Sequence, residues 1–328
     1  MAFSLNTTIM TESVHFTAII PDELAGKRLD QALAILVSGH SRARLQDWIR
    51  KGDVQLNRQI TSQKQRVQTG DIIEINTTYE AQEEWVAEAI PLKIIHEDDQ
   101  ILVIDKPAGL VVHPGAGNKQ HTLLNALIHH DSKLENIPRA GIVQRLDKDT
   151  SGLMVIARTL ESHTSLVAAL QAREISREYQ TIVAGVMTAG GSIDQPVGRH
   201  PEKRIQMAVV KNGKPAVTHY RIIKKYRSHT HLRVNLETGR THQIRVHMAW
   251  LKHPIVGDPV YGGRARVPKT ASATLVEALQ TFPRQALHAS ALKLQHPLTQ
   301  KTVHFESPLP SDMQHLLTVL EQDAKKQH

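Results

Sequence analysis

Three charged side chains stand close together ahead of an apolar run. They are Arg145, Asp147 and Asp149, followed by Thr150-Ser151-Gly152 and then Leu153-Met154-Val155-Ile156-Ala157. A carboxylate beside a guanidinium can act as a base or a nucleophile, because the cation keeps the acid charged once water is excluded. The β-prone run after Gly152 suits a strand, and a strand fixes the position of a group that its loop offers. The same string is also ordinary turn chemistry, since Asp, Thr, Ser and Gly all favour tight turns.

Other polar clusters interrupt apolar stretches further on. Ser176-Arg177-Glu178-Tyr179 is a charged entry into a strand that carries a tyrosine. The segment Arg199 to Arg204 is basic and includes Lys203. Glu237-Thr238-Gly239-Arg240-Thr241-His242-Gln243-Ile244-Arg245 lies where a strand turns into a helix. Free N–H groups at a helix start, with arginines beside them, suit a phosphate. Twenty histidines invite a metal, but no HExxH occurs, and His242 and His247 are five apart rather than the four of a helical ligand pair. No metal site is expected.

The elements that must hold these groups follow from periodicity. Apolar residues at Leu29, Ala32, Leu33 and Leu36 have helix spacing. Ser41 can cap a second helix with Leu45, Trp48 and Ile49 on one face and most of Arg42, Arg44, Arg50 and Lys51 off it. Strand-like runs flank this pair at 14–20, 54–57 and 72–75, after a loose tail over 1–12. Residues 77–88 are acidic and poor in apolar side chains, which reads as a linker. Beyond it, strands are expected at 94–95, 101–104, 110–112, 153–157, 178–186, 216–226, 231–237, 287–294 and 303–305. Helices are expected at 122–130, 160–173, from 241, and at 310–321. Strands outnumber helices and come in adjacent pairs, so the class is α+β with a mixed or antiparallel sheet. The expected organisation is a small domain at 14–77, an acidic linker at 78–89 and a second domain at 90–328.

Composition bounds the partners. The chain has 328 residues, no cysteine and a net charge of +8. Disulfides and cysteine-based zinc sites are excluded, and a reducing, cytoplasmic setting is expected, with no membrane span. A basic balance favours a polyanionic partner. Aromatic residues make up only 4%, which argues against an open base-stacking sheet. Gly115-Ala116-Gly117-Asn118 lacks the third glycine of a dinucleotide fingerprint. Between Lys27 and Arg66, nine basic residues face three acidic ones, in a unit too small for an elaborate active site.

That basic segment resembles the S4 RNA-binding domain. The matching residues are Gly26-Lys27-Arg28-Leu29-Asp30, Ser41-Arg42-Ala43-Arg44-Leu45-Gln46-Asp47-Trp48-Ile49, Gly52-Asp53-Val54-Gln55-Leu56-Asn57 and Val67-Gln68-Thr69-Gly70-Asp71. The rest of the chain is similar to RNA pseudouridine synthases of the RluA branch. Arg145-Leu146-Asp147-Lys148-Asp149-Thr150-Ser151-Gly152-Leu153 matches their RLDxxTSGL signature. Three further matches occur in the family's order. They are Asp105-Lys106-Pro107-Ala108-Gly109-Leu110-Val111-Val112-His113-Pro114, Arg177-Glu178-Tyr179 with Val183-Ala184-Gly185, and Gly239 to Ala249 followed by His253 to Gly262. Gln144 and Thr181 depart from the pattern, where His and Ala are common.

The resemblance implies an enzyme that turns uridine into pseudouridine in RNA, nearest to the members that act on the large ribosomal subunit. The reaction neither gains nor loses atoms, so no cofactor is implied. Asp147 is implied as the catalytic carboxylate, acting at C1′, at C6 or on the 2′ proton. Arg245 is implied as its cation partner, Tyr179 as the residue stacking on the uracil, and Arg145 as the residue handling the flipped nucleotide. RNA contacts are expected from Arg28, Arg42, Arg44, Arg50, Lys51, Arg204, Arg240 and His242, with the protein acting as a monomer on ribosomal RNA or its assembly precursors. Asp149 is expected to steady the loop. Two other readings stay open: a non-catalytic S4-type RNA-binding protein, and a glycosidase using Asp147 and Asp149 as paired acids.

Overall fold

The structure is a computed structural model. It describes residues 11–37, 42–80, 85–115, 117–203, 206–263, 265, 267–268 and 270–325. The chain divides into two compact units, residues 1–84 and 85–328. The tail expected over 1–12 lies outside the described residues up to residue 10, and so does the cap expected at Ser41.

In the first unit, β1 (Thr11–Ile19), α1 (Leu29–Leu36), α2 (Arg42–Lys51), β2 (Val54–Leu56), β3 (Gln59–Ile60) and β4 (Ile72–Glu80) follow one another. The antiparallel sheet has the order β1-β4-β2-β3. Leu29, Ala32 and Leu33 of α1 and Leu45, Trp48 and Ile49 of α2 are all buried, as their helical spacing requires. They pack with Ile73 and Ile75 of β4 in one core. Gly52, at φ +84°, ends α2 in the left-handed conformation usual after a helix. This is the S4-like arrangement that the sequence predicts.

The second unit is built on a nine-stranded sheet. Its strands are β5 (Ile94–Glu97), β6 (Ile101–Lys106), β7 (Ser151–Ala157), β8 (Ser176–Ala184), β9 (Gly191–Asp194), β12 (Val217–Lys225), β13 (His229–Leu236), β14 (Leu287–Gln295) and β15 (Thr302–Glu306). A separate two-stranded ribbon joins β10 (Val197–Arg199) to β11 (Met207–Val209). The order is β5-β6-β7-β14-β8-β13-β12-β9, with β15 also paired to β14. Only β7 and β14 run parallel, so the fold is α+β with a mixed sheet. The helices are α3 (Leu123–His130), α4 (Leu160–Gln171), α5 (Gln243–Trp250), α6 (Ala273–Thr281) and α7 (Ser311–Lys325).

Strand alternation divides the core between the two faces of the sheet. Leu102, Ile104, Met154 and Ile156 pack on one face with residues of α3, α5, α6 and α7. Ile101, Val103, Leu153, Val155 and Ala157 pack on the other with Leu166 of α4. β7 is buried along its whole length, so it forms a fixed platform for the loop before it.

Some expectations are revised. Residues 110–112 form no strand. Val111 makes one bridge to Thr122, and the carbonyls of Val111 and Val112 accept from the N–H groups of Leu123 and Leu124 at the start of α3. That apolar triplet caps a helix instead of joining the sheet. The stretch proposed as a linker also has structure at both ends. β4 runs to Glu80, while Trp85 packs against the second unit's core and the Glu88 N–H donates to the Asn125 carbonyl.

Candidate active site

The loop 142–150 enters β7 under several restraints. Leu146 is buried in the main core. The Lys148 carbonyl accepts from the Gly109 N–H at 3.0 Å and from Lys106 Nζ at 2.9 Å. Lys106, at the end of β6, is fully buried, and its other contacts are the carbonyls of Pro107 (2.8 Å) and Leu110 (2.9 Å). Burial pushes its pKa down to about 7. Three carbonyl acceptors nonetheless match the three protons of an ammonium, and that geometry favours the charged form. On the other side of the loop, the Asp149 carbonyl accepts from Arg284 Nη1 at 3.2 Å, and Thr150 Oγ1 accepts from Gln285 Nε2 at 3.1 Å. Gly152 has φ +114°, and an added Cβ would run into the backbone of Ala289 on β14, so only glycine fits where the parallel strands meet.

This anchoring presents Asp147. Its Oδ2 accepts from Arg245 Nη1 at 3.0 Å. Arg245 comes from α5, and its other edge is clamped by Asp258, with Nε to Oδ2 at 2.7 Å and Nη2 to Oδ1 at 3.0 Å. Asp258 is itself buried and accepts the N–H groups of Val260 and Tyr261. Burial opposes the charge on Arg245, but hydrogen bonds and charge from Asp258 and Asp147 outweigh it and hold its pKa above the usual value. A two-point clamp of this kind fixes the plane of the guanidinium as well as its position.

His242 precedes α5 in the left-handed conformation, at φ +57°. Its Nδ1 is 2.8 Å from the Tyr261 hydroxyl, and its Nε2 is 3.9 Å from Asp147 Oδ1, too far for a hydrogen bond. Burial lowers the His242 pKa, which favours the neutral ring. Among the described residues, Oδ1 of Asp147 is therefore the oxygen without a hydrogen bond. Tyr179, on β8, is buried in the main core. Burial raises its pKa, with the Arg177 charge opposing and the Asp147 charge adding to the rise.

The structure brings Asp147, Arg245 and His242 together, with the Asp147 charge also felt at Tyr179. Arg145 is exposed on the same loop. Arg240 is partly buried, and its Nε donates to the Pro215 carbonyl at 3.1 Å. The Asp149 carboxylate takes no hydrogen bond among the described residues, and its carbonyl makes the loop contact. Arg204 and the side chain of Arg42 lie outside the described residues. In the first unit, Arg28 forks onto buried Asp30, at 3.1 and 3.2 Å, while Arg50 and Lys51 both meet Asp47. Exposed pairs such as the Asp47 ones are weak enough to be exchanged for a phosphate. Arg44 is partly buried on α2.

Sequence reasoning missed Asp258, Tyr261 and Lys106 as parts of the site. Both segments resemble the family's motifs, but no role was assigned within them to Asp258, Tyr261 or Lys106. The Asp258 carboxylate closes a turn and also grips Arg245, and the Lys106 ammonium holds the carbonyl of Lys148.

Asp147 on its anchored loop, the clamped Arg245 and the buried Tyr179 come from the three segments that resemble the RNA pseudouridine synthases. The RNA pseudouridylate synthase family model matches residues 100–250, and the S4 domain model matches residues 27–73. The chain is 56% identical over 314 residues to the ribosomal large subunit pseudouridine synthase D of Pseudomonas aeruginosa, covering 96% of this chain and 98% of that one. The Vibrio cholerae protein of the same name is 51% identical, with coverage of 96% and 98%. Among solved structures, human RNA pseudouridylate synthase domain containing 4 superimposes with a TM-score of 0.56 at 27% identity, covering 70% of this chain and 93% of that one. The chain belongs to the RNA pseudouridine synthase family and is an isomerase acting on RNA. No helix among the described residues is long and apolar enough to cross a membrane.

Proposed function

We propose that this enzyme converts uridines of large-subunit ribosomal RNA to pseudouridine, with Asp147 as its catalytic carboxylate. The observation that carries the assignment is the state of Asp147. One oxygen is held by Arg245, while the other carries no hydrogen bond among the described residues and faces a neutral His242. The relatives that match nearly the whole chain bear ribosomal large subunit names, which supports the choice of RNA.

The reaction breaks the C1′–N1 bond, turns the uracil and joins C5 to C1′, with the C5 proton released. The target base is stacked in RNA and must first flip out. Asp147 then meets the junction of sugar and base, at C1′, at C6 or at the 2′ proton. Its charge is stabilised by Arg245, which Asp258 has already oriented, so little reorganisation is needed when the substrate arrives. Tyr179 enters with its phenol protonated, because burial disfavours the phenolate. It stacks on the uracil and can relay the C5 proton by accepting one proton while giving up another. Arg145, exposed beside Asp147, contacts the flipped nucleotide or fills its place. Arg240, Arg204 and His242 meet phosphates near the site. Arg28, Arg42, Arg44, Arg50 and Lys51 meet phosphates on the first unit, residues 14–77 in its S4-like core.

Asp147→Asn keeps the shape of the loop and removes the charge. It should abolish tritium release from RNA carrying 5-tritiated uridine while leaving RNA affinity within about twofold. Release at the wild-type rate would remove Asp147 from its role. Chromatography of digested product distinguishes pseudouridine from the free uracil of a glycosidase and the unchanged uridine of a binding protein. Mapping pseudouridines in ribosomal RNA from cells lacking the protein identifies the sites.

A further inference from the structure

Among the described residues, the Arg177 side chain near the site makes no ion pair. Arg177 lies on β8 two residues before Tyr179, so both point to the same face of the strand. Its guanidinium is partly buried, and Nε is buried with no hydrogen-bond partner. The nearby acids are already engaged. Glu178, on the opposite face, pairs with Arg233 at 3.2 Å. Glu237 holds Arg173 at 2.6 Å and His219 at 2.7 Å. Asp258 and Asp147 both hold Arg245.

The chain after β13 makes room for this side chain. An added Cβ at Gly239 would lie 2.9 Å from Arg177 Nη1. Gly239 does not adopt the left-handed conformation, so its lack of a side chain serves space and not conformation. The segment that closes over Arg177 continues through Arg240 and His242 into α5, the helix that carries Arg245. Nε is sealed from solvent, but the side chain as a whole is only partly buried, and no carboxylate among the described residues neutralises it, so its charge is open to a ligand that reaches the exposed part. An anionic oxygen is the acceptor that best matches a guanidinium, and RNA offers one at each nucleotide.

We propose that Arg177 binds a backbone phosphate flanking the flipped uridine, and that Gly239 keeps the space its guanidinium needs. This rests on the reading above that Asp147 acts on a flipped uridine in RNA, and it adds a contact that sets the register of the strand.

The test measures RNA binding as a function of salt, together with steady-state kinetics. Arg177→Gln should raise the RNA dissociation constant about tenfold and reduce the slope of log K against log salt by about one contact. The loss should fall mainly in KM rather than kcat. Arg177→Lys should recover most of the slope, and Gly239→Ala, which only pushes the flexible Nη1 end aside, should give a smaller defect of the same kind. RNA with single neutral methylphosphonate linkages around the target should weaken binding to the wild type at several positions, and at one of them the effect should vanish in Arg177→Gln. Where Arg177→Gln folds poorly, Arg177→Ala gives the same comparison. An unchanged salt slope in Arg177→Gln, or a set of sensitive linkages that is the same in wild type and variant, would overturn the proposal. Wild-type protein that forms no pseudouridine would defeat the functional reading instead, so the two failures are distinguishable.

Discussion

Asp258 shows how one carboxylate can serve both a turn and a site. Its Oδ1 accepts two backbone N–H groups and one Arg245 N–H, while Oδ2 takes the second Arg245 contact. Asp258→Asn keeps the volume and removes the charge that offsets a buried guanidinium. Unfolding in urea should show a loss of about 2–3 kcal/mol, and Arg245 should lose its orientation, with single-turnover rates down about 100-fold. A rate near that of the wild type would show that Asp147 needs no pre-set partner. At this scale, much of the proposed site was legible before the fold was known. Asp147, Tyr179, Arg245 and His242 announced themselves as polar residues interrupting apolar runs. Asp258 lay in a stretch that resembles the family's third motif but showed no role of its own, because its task appears only when residues thirteen positions apart are brought to 2.7 Å.

Between elements, Arg284 links α7 to the loop before β7. Arg284 is buried, binds Asp312 near the start of α7 at 2.7 and 2.9 Å, and donates to the Asp149 carbonyl with its remaining nitrogen. Asp312→Ala leaves that buried cation unpaired. A stability loss of about 3 kcal/mol is expected, with kcat falling and KM little changed, because the loop and not the RNA surface is disturbed. Equal kcat in the variant would show that the loop is held by Lys106 and Gln285 alone. β13 adds a pH dependence. Burial pushes the His229 and His231 pKa values down to about 4, below the unfolded value near 6.5. The unfolded chain therefore binds protons first as pH falls. Stability should drop between about pH 6.5 and 4, by up to about 1.4 kcal/mol per pH unit for each histidine, and level off below. Melting temperatures across that range should show the drop, and the double variant His229→Gln/His231→Gln should flatten it. The long elements were readable from their periodicity. β9, β10 and β11 were not, since each buries at most one side chain, whereas the equally short β2 buries both Val54 and Leu56. α6 also escaped, although Ser272 caps it and Leu275 and Leu279 are buried, because its pattern spans only two turns.

For the molecule as a whole, basic character and chemistry are distributed unequally. The first unit carries nine basic residues against three acidic ones between Lys27 and Arg66, and its own core holds together Leu29, Trp48 and Ile75. The second unit contains Asp147, Arg245, Asp258 and Tyr179, and it has a separate core. Neither core needs a residue of the other, so removing residues 1–84 should leave a folded second unit. In the proposed function the lost cations are phosphate contacts, which contribute affinity and salt dependence without touching the reacting atoms. The truncated protein should bind RNA at least about tenfold more weakly, with a shallower salt slope. At saturating RNA its single-turnover rate should stay within about threefold of the full chain. Measuring that rate over a range of RNA concentrations separates the two effects. A truncated protein that binds poorly but reacts normally when saturated confirms the division of labour. One that saturates and still fails to react would place part of the catalytic machinery in the first unit.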